Sequence, residues 1–337
     1  MSATATSFAP TQSPPPCTLS TCPLSYGYLH YLASIPGNVF MLAAFGVLIP
    51  PALYLGIKHK TTLFTTLLVV GLAGEIVGYV GRILLHNDPF SKNSFLIYLI
   101  CLTIAPVLLS AAVYVTLARI VVVYGQSISL IRPRSYTLIF SGFDLAALVV
   151  QAVGGAIAAQ GVGRGQGQVD NGTHILVAGL SIQVASGLAF VVMSADYAWR
   201  VHRKKDQRNV RFEKLYRSGH FKLFLYSLAL ITLLILIRTC YRCAELSGGF
   251  TGYLAQDEIA FMVLDGAMIL SASILLTISN PGWAFGKAWP ATRYRWGGIG
   301  NRAGGAGRQD MIALESMPGN ASGHFENDKV PTRRDLG

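Results

Sequence analysis

The sequence predicts an all-α, polytopic membrane protein: a seven-transmembrane helix bundle with its N-terminus outside and its C-terminus inside. Three observations predict it. Seven apolar runs fill the middle of the chain, each about 20 residues or longer, enough helix to cross about 30 Å of hydrocarbon at about 1.5 Å per residue. Of the 337 residues 52% are hydrophobic and only 13% charged, against about 25% charged in a soluble domain; mean hydropathy is +0.47. Basic residues gather in alternate loops. In lipid every backbone N–H and C=O must be bonded within its own segment, so the runs are read as helices.

The elements follow in order. Residues 1–30 are rich in Ser, Thr and Pro, without the basic and apolar regions of a secretory signal, and are expected to form a disordered extracellular tail. The membrane domain is expected over 31–286. Its first run, Pro36–Leu55, holds Pro50 and Pro51, expected to kink or end a helix. The second, Leu63–Leu85, carries Glu75 and Arg82. The third, Tyr98–Val123, carries Pro106, Tyr114 and Arg119, and the fourth, Leu138–Ala159, carries Asp144, Gln151, Gly154 and Gly155. A glycine-rich stretch, Gly161–Gly167, follows no strand and reads as a flexible outer connector. The fifth run is Ile175–Tyr197; the sixth, Leu223–Cys243, leads through Arg238 and Arg242 to Glu245; the seventh, Ile259–Trp283, is preceded by Glu258 and contains Asp265. Residues 287–337 are rich in Gly, Arg and Asn and read as a disordered cytoplasmic tail.

Loop charge sets the orientation. With the N-terminus outside, the inner side receives Lys58, Lys60, Arg132, Arg134, the dense basic loop Trp199–Lys222, and Lys287, Arg293 and Arg295. The outer loops hold Lys92 and Arg164. The net charge of +11 is thus one-sided, which argues for membrane topology and against nucleic acid. The sequon Asn171-Gly-Thr173 falls in an expected outer loop and makes Asn171 a glycosylation candidate; that at Asn320 falls inside. Trp199, Trp283 and Trp289 stand near inner helix ends, where interfacial tryptophans belong. Cys17, Cys22, Cys240 and Cys243 all fall on the outer side, where a disulfide is permitted; spacing does not fix a pairing.

A charge at the bilayer centre costs about 2.5–3.5 kcal/mol on insertion scales, so charges inside the spans are the functional candidates. Glu75 and Arg82 are seven apart on one face, too far for mutual contact, so each is expected to meet a partner on another helix. Arg238, Arg242 and Glu245 share a face of the sixth helix. With Glu258 and Asp265, four carboxylates and three guanidiniums fall in the outer half. An inner layer comprises Arg119, Asp144, Asp196 and Arg200, with Gln151 two turns beyond Asp144. For Arg82, Arg200, Arg242, Glu245 and Glu258 snorkelling to headgroups is the competing expectation. No nucleotide-binding loop, zinc signature or nucleophile constellation is present, so neither cofactor nor metal nor enzymatic activity is expected.

Several of these polar positions lie in longer motifs: Glu75-Ile-Val-Gly78-Tyr79-Val-Gly-Arg82, Ala105-Pro106 with Ala111-Ala112-Val-Tyr114, Phe140 to Asp144, and Gln151-Ala-Val-Gly154-Gly155. They continue through Arg238-Thr-Cys-Tyr241-Arg242-Cys-Ala-Glu245, Gly249, Gly252, Glu258, Asp265 and Asn280-Pro281-Gly282. In order and spacing these motifs resemble the fungal RTA-like family of lipid-translocating exporters. Phe261 stands where a more polar aromatic is expected. The resemblance implies a plasma-membrane transporter for amphipathic lipids or lipid-like toxicants such as sphingoid long-chain bases, conferring stress resistance. Membrane lipids and an amphipathic small molecule are the implied partners. Glu75, Asp144 and Asp265 are the candidate counter-ions for a cationic head. A seven-helix lipid-sensing receptor without transport is the alternative.

Overall fold

In the computed structural model the described residues are 23–24, 31–126, 128–161, 166–249, 252–289 and 292. Among them seven helices are long and apolar enough to cross a membrane, and no strand occurs. The first five are α1 (Ile35–His59), α2 (Thr62–Asn87), α3 (Lys92–Tyr124), α4 (Pro133–Gly161) and α5 (Gln166–Arg203). The sixth is α6 (Gly219–Ser247). The seventh, α7, opens with one turn at Glu258–Ala260, passes through a π-helical segment at Phe261–Ala267 and continues as α-helix over Met268–Ile278.

Local chemistry sets the ends. Ser34 caps α1 by accepting from the Gly37 amide, and Lys60 ends it in the left-handed region at φ 55°. Ser91 caps α3 by accepting from the Ser94 amide. Pro50 and Pro51 do not end α1, which runs through them to His59. At the other end of the bundle Asn280 stops α7: its Oδ1 accepts from the Gly282 amide at 2.8 Å, and a short helix, α8 (Pro281–Phe285), restarts the chain in a new direction.

Burial makes α3 the central helix. Over half of its span lies inside the bundle, against 22% for α1. The outward faces are apolar, as lipid contact requires. The tightest seam joins α4 and α5. A Cβ on Gly154 would strike the Leu176 amide, and one on Gly172 the Ala158 backbone, so these glycines let two backbones meet. This seam begins upstream of the fifth apolar run. Asn171, read from sequence as a loop residue, is an exposed residue of α5, and the Thr173 hydroxyl is buried, donating to the Val169 carbonyl at 2.9 Å. A helix that packs from its first turns can start in polar sequence. Residues 1–22 and 293–337, the Arg164 connector and the Asn320 sequon lie outside the described residues, as do Cys17 and Cys22.

Candidate functional site: a sealed charge network and an open chamber

Toward one end of the bundle, α2, α6 and α7 bring the expected charges together. Arg82 is fully buried. Its Nε donates to Asn38 Oδ1 at 3.0 Å and its Nη2 to the Tyr31 hydroxyl at 3.0 Å. Glu258 Oε1 lies 3.9 Å away and accepts from the Ser34 amide at 2.6 Å. The guanidinium carbon stands 3.9 Å from the centre of the Phe261 ring and 5.1 Å from that of Tyr98. Phe261 therefore serves as a cation–π floor where a polar aromatic was expected. Tyr31 precedes α1, and burial pushes its phenol above the ordinary value while the Arg82 charge works against that shift.

A second group lies deeper. Arg238 Nε is 3.1 Å from Asp265 Oδ1, an ion pair outside hydrogen-bond geometry. The Arg238 Nη2 donates to the Leu102 carbonyl. Arg242 pairs with Glu245 at 2.7 Å and lies 3.8 Å from Asp265. The π-helical segment carries Asp265 at this junction; such insertions recur at functional sites. Glu75 is fully buried, and neither of its carboxylate oxygens has a hydrogen-bond partner among the described residues. The charges acting on it are those of Arg238, Asp265 and Arg242. Three guanidiniums thus face four carboxylates, one negative charge in excess when all are ionised.

Snorkelling fails for three residues: Arg82, Arg242 and Glu245 are buried and face inward. The Glu258 side chain is partly exposed, at 24%. Cys240 and Cys243 are free thiols; Cys243 lies 3.6 Å from the Ser181 hydroxyl. Cys101 is also free, and half-buried.

The inner layer does not form one cluster. The Tyr114 hydroxyl donates to Asp144 Oδ2 at 2.8 Å, and Gln151 donates to Gln183 at 3.0 Å. Arg200 instead pairs with Asp196 one turn away, both about one-third exposed. Arg119 turns to the segment after α8, donating to the Trp289 carbonyl at 3.1 Å with its guanidinium 3.6 Å from the indole centre. Trp289 is consequently buried, not interfacial; Trp199 and Trp283 are exposed as expected.

Two cavities meet near Asp144. A small one of about 30 Å³ touches Asp144, Tyr114, Ser110, Gln183, Thr232 and Thr239, room for about one water. It shares Val113, Phe190 and Thr232 with a chamber of about 730 Å³ between α3, α5 and α6. The chamber is apolar in its middle and reaches His202, Lys205, Arg208 and Lys222 at the basic loop. Sequence reading missed it, along with Tyr31, Tyr98 and Gln183, because none follows from spacing along a single helix. Among the described residues no group of three His, Cys, Asp or Glu is placed to hold a metal.

Comparison with known proteins bears on this arrangement. The sphingoid long-chain base transporter RSB1 of Saccharomyces cerevisiae is 32% identical over 277 residues, covering 74% of this chain and 72% of the relative. Protoporphyrin uptake protein 1 of the same yeast is 29% identical over 229 residues, covering 67% and 72%. Its protein RTA1 is 25% identical over 214 residues, covering 63% and 64%. No solved structure matches the chain. The family model described as RTA1 like protein matches residues 68–288, a stretch that contains both the charge network of α2, α6 and α7 and the whole chamber wall, and the chain belongs to that RTA1-like family.

Proposed function

We propose that the protein is a non-enzymatic translocase that moves amphipathic lipids or lipid-like toxicants, with sphingoid long-chain bases the leading substrate, across or out of the plasma membrane and so confers resistance. One observation carries this reading: the bundle is asymmetric along its length. A chamber of about 730 Å³ opens at the basic-loop end, while the other end is closed by the ion pairs of Arg82, Arg238 and Arg242. That is the form of one state of a carrier working by alternating access. Breaking the ion pairs and re-forming them elsewhere gives the second state.

Asp144 serves as counter-ion. It lies beside the small cavity at the chamber's inner end, steadied by Tyr114, within reach of a primary ammonium whose chain occupies the apolar wall. Glu75 carries the excess negative charge of the sealed end and exchanges it for a proton during the cycle. The RSB1 relative, named as a long-chain base transporter, supports the substrate class. The concentration of Lys and Arg in the Trp199–Lys222 loop supports a cytoplasmic place for that loop and hence an N-outside orientation.

The deciding measurement is long-chain base flux from liposomes holding the purified full chain. Wild type is expected to raise efflux above protein-free liposomes, Asp144→Asn to lower it at least about tenfold while retaining the folded peak in size exclusion. Flux equal to that of protein-free liposomes overturns the translocase reading. Full flux in Asp144→Asn removes the role given to that residue.

A further inference from the structure

The chamber carries a charge pattern that the movement of a cationic base does not require. His202, Lys205, Arg208 and Lys222 line its loop end, and among the described residues no acidic one lines it. Positive-inside topology accounts for basic residues in this loop but not for their place in a wall. The chain after α5 folds back through short turns at Lys205–Gln207 and Val210–Phe212 and a single helical turn at Glu213–Arg217. Arg208 pins this fold: its Nε and Nη2 both donate to the Val201 carbonyl, at 3.1 and 2.8 Å. Its guanidinium also stands 5.9 Å from the Tyr124 ring and 5.7 Å from Tyr216. No carboxylate among the described residues pairs with Lys205, Arg208 or Lys222. Arg217, by contrast, has Glu213 at 2.8 Å.

The chamber's flank is equally telling. Tyr226 and Leu233 of α6 line it and yet are 76% and 46% exposed, and Ala195, Ala198 and Ala229 also combine lining with exposure. Its side is thus open where acyl chains lie, and small residues on both α5 and α6 leave the gap. The buried Ser194 hydroxyl in its wall has no hydrogen-bond partner among the described residues. A lateral apolar opening, with unpaired cations at only one end, matches a molecule with a hydrocarbon tail and a negative head.

We propose that the chamber is a binding site for a membrane lipid with an anionic, phosphate-bearing headgroup, entering sideways between α5 and α6 from the leaflet on the basic-loop side. The phosphate rests on Lys205, Lys222 and the pinned Arg208, and one acyl chain lies along Leu117, Leu225 and Leu228 toward Phe190. The site stands whether or not the chamber transports a long-chain base. Where it does, the resident lipid must leave before a base takes the space, so anionic lipid acts as a competitor.

Native mass spectrometry of the detergent-purified full chain, incubated with equimolar phosphatidic acid and phosphatidylcholine, tests this. Wild type is expected to retain phosphatidic acid at least about tenfold over phosphatidylcholine, two surface cations each worth about a fivefold gain. Lys205→Gln with Lys222→Gln is expected to abolish the preference; both side chains are exposed, so the fold is not at stake. Arg203→Gln with Lys214→Gln removes the same charge from the same loop outside the chamber and is expected to leave the preference intact. Ala229→Trp fills the chamber and is expected to lower retention of both lipids. Inorganic phosphate is expected to displace nothing. Equal retention of the two lipids by wild type overturns the proposal. So does an equal loss in both double variants, which reduces the effect to general loop charge, or displacement by phosphate alone, which makes the site one for a free anion.

Discussion

Arg82 illustrates how one residue's place becomes legible and where legibility ends. Its presence in an apolar run left two outcomes, snorkelling or a partner elsewhere in the bundle, and Asn38, Tyr31 and Glu258 supply the partners. Their identities were hidden, since α1 meets α2 only in the folded bundle. Removing one member of a buried pair leaves the other uncompensated, at about 3–5 kcal/mol. Arg82→Ala is therefore expected to lower the melting temperature in detergent markedly. Arg82→Lys is expected to recover only part, because an ammonium lacks the planar fork that reaches three partners and stacks on Phe261; full recovery would show that charge alone suffices. Glu75 makes the opposite case. Glu75→Gln removes no hydrogen bond and takes away a buried charge, so its melting temperature is expected to match or exceed wild type. Asp265→Asn, which removes the carboxylate paired with Arg238, is expected to lower the melting temperature, at a stability cost of about 3 kcal/mol. Were the two variants equally unstable, Glu75 would have a partner after all.

At the scale of helices, apolar length and loop signals located all seven spans, because both report on the solvent and not on neighbours. What they missed lies in polar sequence that tertiary packing makes helical. Gly154 was recognisable as a small residue in a helix; Gly172, its counterpart across the seam, sat in a stretch read as loop. The pair yields a contrast. Gly154→Leu must push α5 away against backbone atoms, so a loss of about 1–3 kcal/mol or more is expected. Gly142→Leu on the same helix meets nothing within 4 Å and is expected to be neutral or stabilising, since leucine favours helix by roughly 1 kcal/mol over glycine. Comparable expression and melting of the two variants would remove the seam from the account. The same packing changes the outlook for Asn171. With Thr173 buried and bonded to Val169, the sequon is locked in helix. Endoglycosidase treatment of the full chain is expected to produce no mobility shift that Asn171→Gln abolishes.

Over the whole molecule, sequence reported which residues are charged and on which loops they gather, but not that the charges close one end while the other stays hollow. At the hollow end Arg208 ties the basic loop back to the Val201 carbonyl of α5 and stands over the Tyr124 ring of α3, contacts that hydropathy does not encode. The asymmetry has a direct consequence for access. In a chain with all five cysteines replaced, Ala198→Cys reports on the chamber wall and Ser273→Cys, at a fully buried position of α7 two turns past Asp265, reports on the packed interior of the bundle. A membrane-impermeant maleimide is expected to label the first only when supplied on the basic-loop side. It is expected to leave the second unlabelled from either side at rest. If the bundle alternates between two states, an amphipathic substrate must raise labelling at Ser273→Cys from the opposite face while lowering it at Ala198→Cys, because opening one end requires closing the other. Simultaneous labelling of both positions from both faces would describe a pore, and no change on adding substrate would leave the chamber a static lipid pocket.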